Sequence, residues 1–392
     1  MIRRTHGFDT CDYNGAALGF AGFNRTFNQG SMVTGRDGIG QALWIENCAF
    51  GSVQFLDIID PQSTWGFNMD WQWSGGTQPT MVWYTIGFLS TTLFSLRLKP
   101  DGSMDLLGPG NALLANTFAQ KGITFQPGQW CTLELMVNFG SSGSAYLWQN
   151  GTLAAEVTGI GFGTTDPDTL GIQQSGFGPP GSVIDNYIIW DGQPGDPFTG
   201  QYGRQRILTN LPNADLQPGE WTPSTPGPSF AMVDDDYPVT AGGSPDGDAT
   251  CLAALATGPD AVFEMAATPC SGLILSLVWN ACMRPNPLTS TPSVDMVYYP
   301  AMVEVVGNVN VAAVGYLNPD APAATENYFT YQQPVPQNPV SMTNWTDQDI
   351  ANGTFGVGAA AAPQVNLTAF YLEKVIDLTG LPYQCGGGPI TF

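Results

Sequence analysis

Two stretches decide the fold class. The first is Gly128-Gln129-Trp130-Cys131-Thr132-Leu133-Glu134-Leu135-Met136-Val137. The second is Gly140-Ser141-Ser142-Gly143-Ser144-Ala145-Tyr146-Leu147-Trp148-Gln149-Asn150-Gly151. From Thr132 to Val137, side chains of two kinds alternate, and Ser144–Trp148 repeats the pattern more weakly. A period of two is the signature of a strand with two unlike faces. Gly140–Gly143 reads as a turn between the two strands. Asn150-Gly151 is a strong two-residue hairpin signal, because both residues tolerate the left-handed backbone that such a turn demands. The segment therefore reads as consecutive antiparallel strands.

Similar signals recur at the spacing expected for a sandwich. Upstream they fall at 42–45, 52–58, 64–73, 80–88 and 92–98, and downstream at 152–158 and 182–190. No long stretch keeps a 3.6-residue period. The organisation expected is a β-sandwich over 1–191, an extended Pro/Gly-rich connection over 192–250, and a second β-rich domain over 251–392. The connection has strand signals only at 206–209 and 230–233. The second domain has them at 261–265, 273–283, 293–299, 303–305, 327–332, 354–358 and 368–378. One helical turn is expected at 346–352, with Thr346 as cap and Asp349 at the third helical position. The apolar run 273–283, with Asn280 inside it, is too short to span a bilayer and reads as a buried strand.

Composition narrows the function classes. Only 11% of residues are charged, against roughly 25% in an average domain. Eleven Lys and Arg face 33 Asp and Glu, for a net charge of −22. No basic stripe exists to replace phosphate counterions, which excludes nucleic-acid binding. The same balance disfavours docking on anionic lipid. So few charges suit a surface largely covered by other subunits. The seven cysteines have no C-x-x-C spacing, and with the single His6 they form no zinc pattern. Buried thiols formed in a reducing compartment are the expectation. The N-terminal residues carry no apolar signal segment, so export by a signal peptide is not expected.

Three blocks carry a resemblance. The Trp130 strand, its turn and the Asn150-Gly151 hairpin resemble laminin-G/concanavalin A-like domains. Ser182-Val183-Ile184-Asp185-Asn186-Tyr187-Ile188-Ile189-Trp190-Asp191 resembles the last strand of such domains, with Asn186 where a second Asp is usual. Leu211-Pro212-Asn213-Ala214, Trp221-Thr222-Pro223, Val233-Asp234-Asp235 and Pro245-Asp246-Gly247-Asp248 follow. In that order the blocks are similar to a family of tailed-bacteriophage virion structural proteins. The resemblance is closest over residues 125–250. It implies an all-β chain with a concanavalin-like (jelly-roll) sandwich, an extended linker and a second sandwich-like domain. It also implies a head decoration or tail/fibre component that packs on other virion proteins as a homo-oligomer such as a trimer. Such a protein is assembled in the host bacterial cytoplasm, and adhesion to a host surface glycan fits the lectin-like fold. A carbohydrate-binding receptor-recognition protein is the alternative, and a polysaccharide-degrading enzyme a third.

Catalytic residues are not evident. A retaining glycosidase needs two carboxyls about 5–5.5 Å apart, and no Glu-x-Asp-x-x-Glu run exists; Asp57 and Asp60 fall on opposite faces of a strand. The lone His6 argues against a His-based triad. Gly35–Gly40 reads as a turn, not a phosphate loop. The expectation is a non-enzymatic protein without catalytic residues. Glycan-binding candidates are the aromatic-dense Trp71, Trp73, Trp83 and Tyr84. Calcium candidates are Asp166, Asp168, Asp185, Asp246 and Asp248, since hard cations need converging oxygens. No other cofactor is implied.

Overall fold

The computed structural model describes residues 2–7, 30–36, 40–45, 52–55, 63–73, 81–88, 91–163, 167, 169–173, 182–192, 203–217, 221–233, 250–254, 261–266, 268, 272–286, 294–300, 309–311, 329–359 and 364–379. The chain is all-β and built of antiparallel sheets. It divides into two compact units, the first ending at Gln205 and the second running from Arg206. No helix among the described residues is long and apolar enough to cross a membrane.

The first unit holds β1 (Ile2–His6), β2 (Gly30–Thr34), β3 (Gln41–Ile45), β4 (Ser52–Phe55), β5 (Thr64–Trp73), β6 (Met81–Phe88) and β7 (Thr91–Leu98). It continues with β8 (Met104–Leu107), β9 (Leu113–Asn116), α1 (Thr117–Lys121), β10 (Trp130–Asn138), β11 (Gly143–Gln149), β12 (Thr152–Ile160), β13 (Thr169–Gln173) and β14 (Ser182–Asp191). One sheet runs β12-β11-β10-β5-β14-β3-β2, with β1 also on β14; the other runs β4-β13-β6-β7-β8-β9. The two form a β-sandwich. The expected alternation survives with its faces assigned. Cys131, Leu133, Leu135 and Val137 lie opposite Trp71, Met69, Phe67 and Trp65, and all eight are core residues. Asn150 and Gly151 both have positive φ, at 48° and 77°, as a hairpin turn of this length requires.

Gly66 marks the tightest packing on β5. A Cβ there would lie 2.2 Å from the Trp190 ring and 2.5 Å from the Leu135 carbonyl oxygen. Only glycine lets that indole cross the strand.

The second unit holds β15 (Gln205–Asn210), β16 (Pro212–Gln217), β17 (Trp221–Pro223), β18 (Leu252–Ala254), β19 (Ala261–Met265) and β20 (Leu273–Asn286). It continues with β21 (Val294–Tyr299), β22 (Val309–Val311), β23 (Phe329–Val335), α2 (Asp347–Asn352), β24 (Thr354–Ala359) and β25 (Gln364–Asp377). Its sheets run β17-β18-β25-β20-β23, with β15 also on β25, and β16-β19-β24-β21-β22. Within the segment expected as an extended connection, three strands join these sheets: β15 pairs with β25, β16 with β19 and β17 with β18. The strand signal at 230–233 becomes a 3₁₀ turn, Phe230–Met232. Both Asp215 carboxylate oxygens accept backbone N–H groups there, from Ser229 and Phe230 at 2.6 Å each, and this bends the chain. The segment 303–305 lies outside the described residues.

Trp279, Tyr298, Trp345 and Phe355 form an aromatic cluster at the centre of this unit, with ring centroids 5.0–5.7 Å apart in four of its pairs. The expected cap is present. Thr346 Oγ1 accepts from Asp349 N, and Asp349 returns a bond to the Thr346 N–H, which is a capping box. Asn280 is fully buried, and its Oδ1 accepts from Gln332 Nε2 across the sheet at 2.7 Å.

Cys131, Cys251 and Cys282 are buried thiols. Burial pushes the Cys131 thiol up from 9.0 to about 12; Arg36 opposes the shift and Asp70 adds to it. A raised folded-state value means the folded chain holds its proton more tightly than the unfolded chain. This contribution to stability is intact below pH 9 and is lost as pH rises from there toward about 12. In native protein at pH 8, Cys131 is expected to resist alkylation by iodoacetamide and to react on unfolding in urea. Peptide mapping by mass spectrometry reads this directly, and rapid native labelling of Cys131 would contradict it.

Candidate functional site

The core rows of β5 and β10 leave an opposite face on the eight-stranded sheet. There Asp70 pairs with Thr132, Asn68 with Glu134, and Gly66 with Met136. Across the other edge of β5, Asp185 stands directly opposite Asp70. Two acidic side chains are thus neighbours on one sheet face, each about 1% exposed. Such a pair is tolerable only if donors surround it.

The donors come from three elements. Arg36, in the turn between β2 and β3, donates through Nη1 to Asp70 Oδ1 and to Thr132 Oγ1, the latter at 3.1 Å. Thr132 Oγ1 donates to Asp70 Oδ1 at 3.0 Å. Asn186 Nδ2 donates to Asp70 Oδ2 at 2.9 Å. Asp185 accepts the backbone N–H groups of Asn186 and Arg36, both at 2.8 Å. A bulge in β14 between Asp185 and Ile188 brings Asn186 to this face, with its φ at +51°. Asparagine is one of the few residues that accept that backbone conformation. The departure from the usual Asp at this position has a physical reason: an amide can donate to Asp70, where a carboxylate would repel it. The network ties a turn, two strands and a bulge together.

Beside it, the same face carries an aromatic pair. Ala145 and Leu147 of β11 point into the core at 0% exposure, so Tyr146 and Trp148 point out. Both are partly exposed. Their ring centroids are 5.8 Å apart and their planes differ by 19°. Trp148 stands opposite Glu134, and Tyr146 opposite Met136 on one side and Glu156 on the other. Ser144 and Asn138 extend the strip and bond to each other at 2.9 Å. Helix α1 closes its outer edge. Gln120 exchanges two hydrogen bonds with the Glu156 backbone, and Lys121 Nζ lies 3.1 Å from Glu156 Oε1.

The residues expected from sequence fall elsewhere. Trp71 and Trp73 are 1% and 3% exposed core residues, and Trp71 packs edge-on against Phe125 at 5.3 Å. They are corrected from glycan candidates to core, because their parity on β5 is the apolar one. Trp83 and Tyr84 lie in β6, and their side chains are outside the described residues. Asp166, Asp168, Asp246 and Asp248 are also outside them. Asp185 is committed to backbone donors. Among the described residues, no group of three or more His, Cys, Asp or Glu is placed to hold a metal ion. Sequence reasoning overlooked Tyr146 and Trp148, although their i, i+2 spacing in an alternating strand was visible.

No family model matches the chain, and no curated protein matches it. Solved structures do. An endo-β-1,4-glucuronan lyase from the fungus Trichoderma reesei is similar at 10% identity and TM-score 0.36, over 48% of this chain and 95% of that one. Domain 4 of an extracellular GH43 arabinanase from Geobacillus stearothermophilus, solved with arabinotriose, is similar at 16% identity and TM-score 0.36, over 49% and 93%. The alginate lyase Aly36B is similar at 12% identity and TM-score 0.33, over 48% and 97%. The expectation of a non-enzymatic protein does not stand, since polysaccharide lyases are among the structures to which the chain is similar. None of the three is described as a virion protein.

Replacing Asn186 by Asp tests the network. The Asn186→Asp chain is expected to lose about 1–3 kcal/mol, the cost of leaving a buried polar group unpaired, with a second anion now facing Asp70. Urea unfolding of the two chains measures the difference, and equal midpoints with equal slopes would refute this role for Asn186.

Proposed function

We propose that the chain is a carbohydrate-recognising β-sandwich protein, and that the outer face of its eight-stranded sheet takes the glycan. The observation that carries this reading is the near-parallel Tyr146–Trp148 pair, held outward on a strand whose other face is locked into the core. Sugar rings present apolar C–H faces and a rim of hydroxyls. Aromatic rings meet the first, and side chains such as Ser144, Asn138 and Glu156 bond the second. The platform is pre-organised: β11 is paired on both sides, so binding orders little that is not already ordered. The full chain is expected to be retarded by a soluble polysaccharide in affinity electrophoresis. Tyr146→Ala and Trp148→Ala should each weaken that retardation roughly tenfold without lowering the unfolding temperature. Undiminished binding by both variants would remove the platform from this reading.

The setting we propose is a tailed-bacteriophage virion, as a head decoration or tail/fibre component assembled in the host cytoplasm. The resemblance over residues 125–250 supports it, as does a composition with only 11% charged residues, suited to a surface that packs on other subunits. The recombinant chain is expected to form a homo-oligomer and to rebind particles that lack it. Light scattering and a particle pull-down measure both. A monomer that ignores particles would end the virion reading and leave the glycan reading standing.

A further inference from the structure

We propose that the glycan this face takes is uncharged; the inference rests on the carbohydrate reading of the Tyr146–Trp148 pair. The first ground is the charge of the surroundings. Glu134 stands opposite Trp148, and Glu156 opposite Tyr146. Glu156 is the exposed one; Glu134, like Asp70 and Asp185 further along the face, is buried. Two described cations that approach these groups are already committed. Arg36 is fixed between Asp70 and Thr132, and Lys121 bonds Glu156. A uronate chain arriving here would meet the exposed Glu156 carboxylate, and the described cation at that edge, Lys121, is already bound to it.

The second ground is the field of the whole chain. At a net charge of −22, a polyanion is repelled before it makes contact, and more strongly at low salt. The third is the chemistry of the strip itself. Hydroxyl and amide groups of Ser144 and Asn138, and the carboxylate of Glu156, are donors and acceptors of the kind sugar hydroxyls satisfy. Near-parallel aromatic rings add a contact that needs no charge on the ligand. Together these select a neutral pyranose polymer over a uronate or sulfated one.

Affinity electrophoresis of the full chain against neutral glycans (laminarin, dextran and galactomannan) and against polygalacturonate, each at low and high salt, tests this. The expected result is retardation by at least one neutral glycan, unchanged by salt and weakened roughly tenfold in Trp148→Ala. Polygalacturonate should give no retardation at either salt. Retardation by polygalacturonate that weakens with salt and with Trp148→Ala would overturn the charge inference and leave the carbohydrate reading in place. No retardation by any of the four would overturn the carbohydrate reading and this inference with it.

Discussion

Strand β5 is the constraint on which the first unit depends. It is hydrogen-bonded to β10 on one edge and to β14 on the other along nearly its whole length. Five of its side chains, Trp65, Phe67, Met69, Trp71 and Trp73, enter the core. On the other face Asp70 gathers donors from Arg36, Thr132 and Asn186. A slip of one residue would turn the aromatic row outward and drive Asp70 into the core, so the register is fixed from both faces at once. The carboxylate specifies geometry here: it holds only with all its donors in place.

That arrangement is also what makes the aromatic pair on β11 available. Because β10 is locked to β5, β11 inherits its register from β10, and its small or branched Ala145 and Leu147 go inward. Tyr146 and Trp148 are left outside on a rigid sheet. Helix α1, capped by Asn116 and ended by Gly122 in the left-handed region, holds the outer edge of β12 against them. A surface built on strands is more precise than one built on loops, and this is a reason to place recognition there.

The second unit reaches stability by another route. Its two 14-residue strands, β20 and β25, pair over most of their length, and an aromatic cluster fills the space between its sheets. Lys374, on β25 and 1% exposed, bonds the Thr268 carbonyl and Asp347, so the helix α2 is fastened to the sheet by one ion pair. The buried Asn280 and the half-buried Asp215 are matched by named partners, as an apolar interior demands.

Much of this was legible in the sequence. Thr64–Trp73, Ala261–Met265, the Asn150-Gly151 hairpin and the Thr346 cap could be read locally, because alternation, turn chemistry and capping act over a few residues. The short β8, β9 and β13 were not legible, since a strand of four or five residues is stabilised by its neighbours more than by its own pattern. Nor was the aromatic site. On β5 one parity, Trp65 to Trp73, is apolar and the other, Thr64 to Gln72, is polar or glycine, so Trp71 and Trp73 belong to the core row; aromatic density alone had pointed to them as a site. Sequence by itself determined that the chain is all-β and acidic, because these follow from period, turns and charge. Only the tertiary structure decided which face of each strand is buried. That choice rests on register between segments distant in the chain, such as Asp70 with Thr132 and Asp185, which no local window contains.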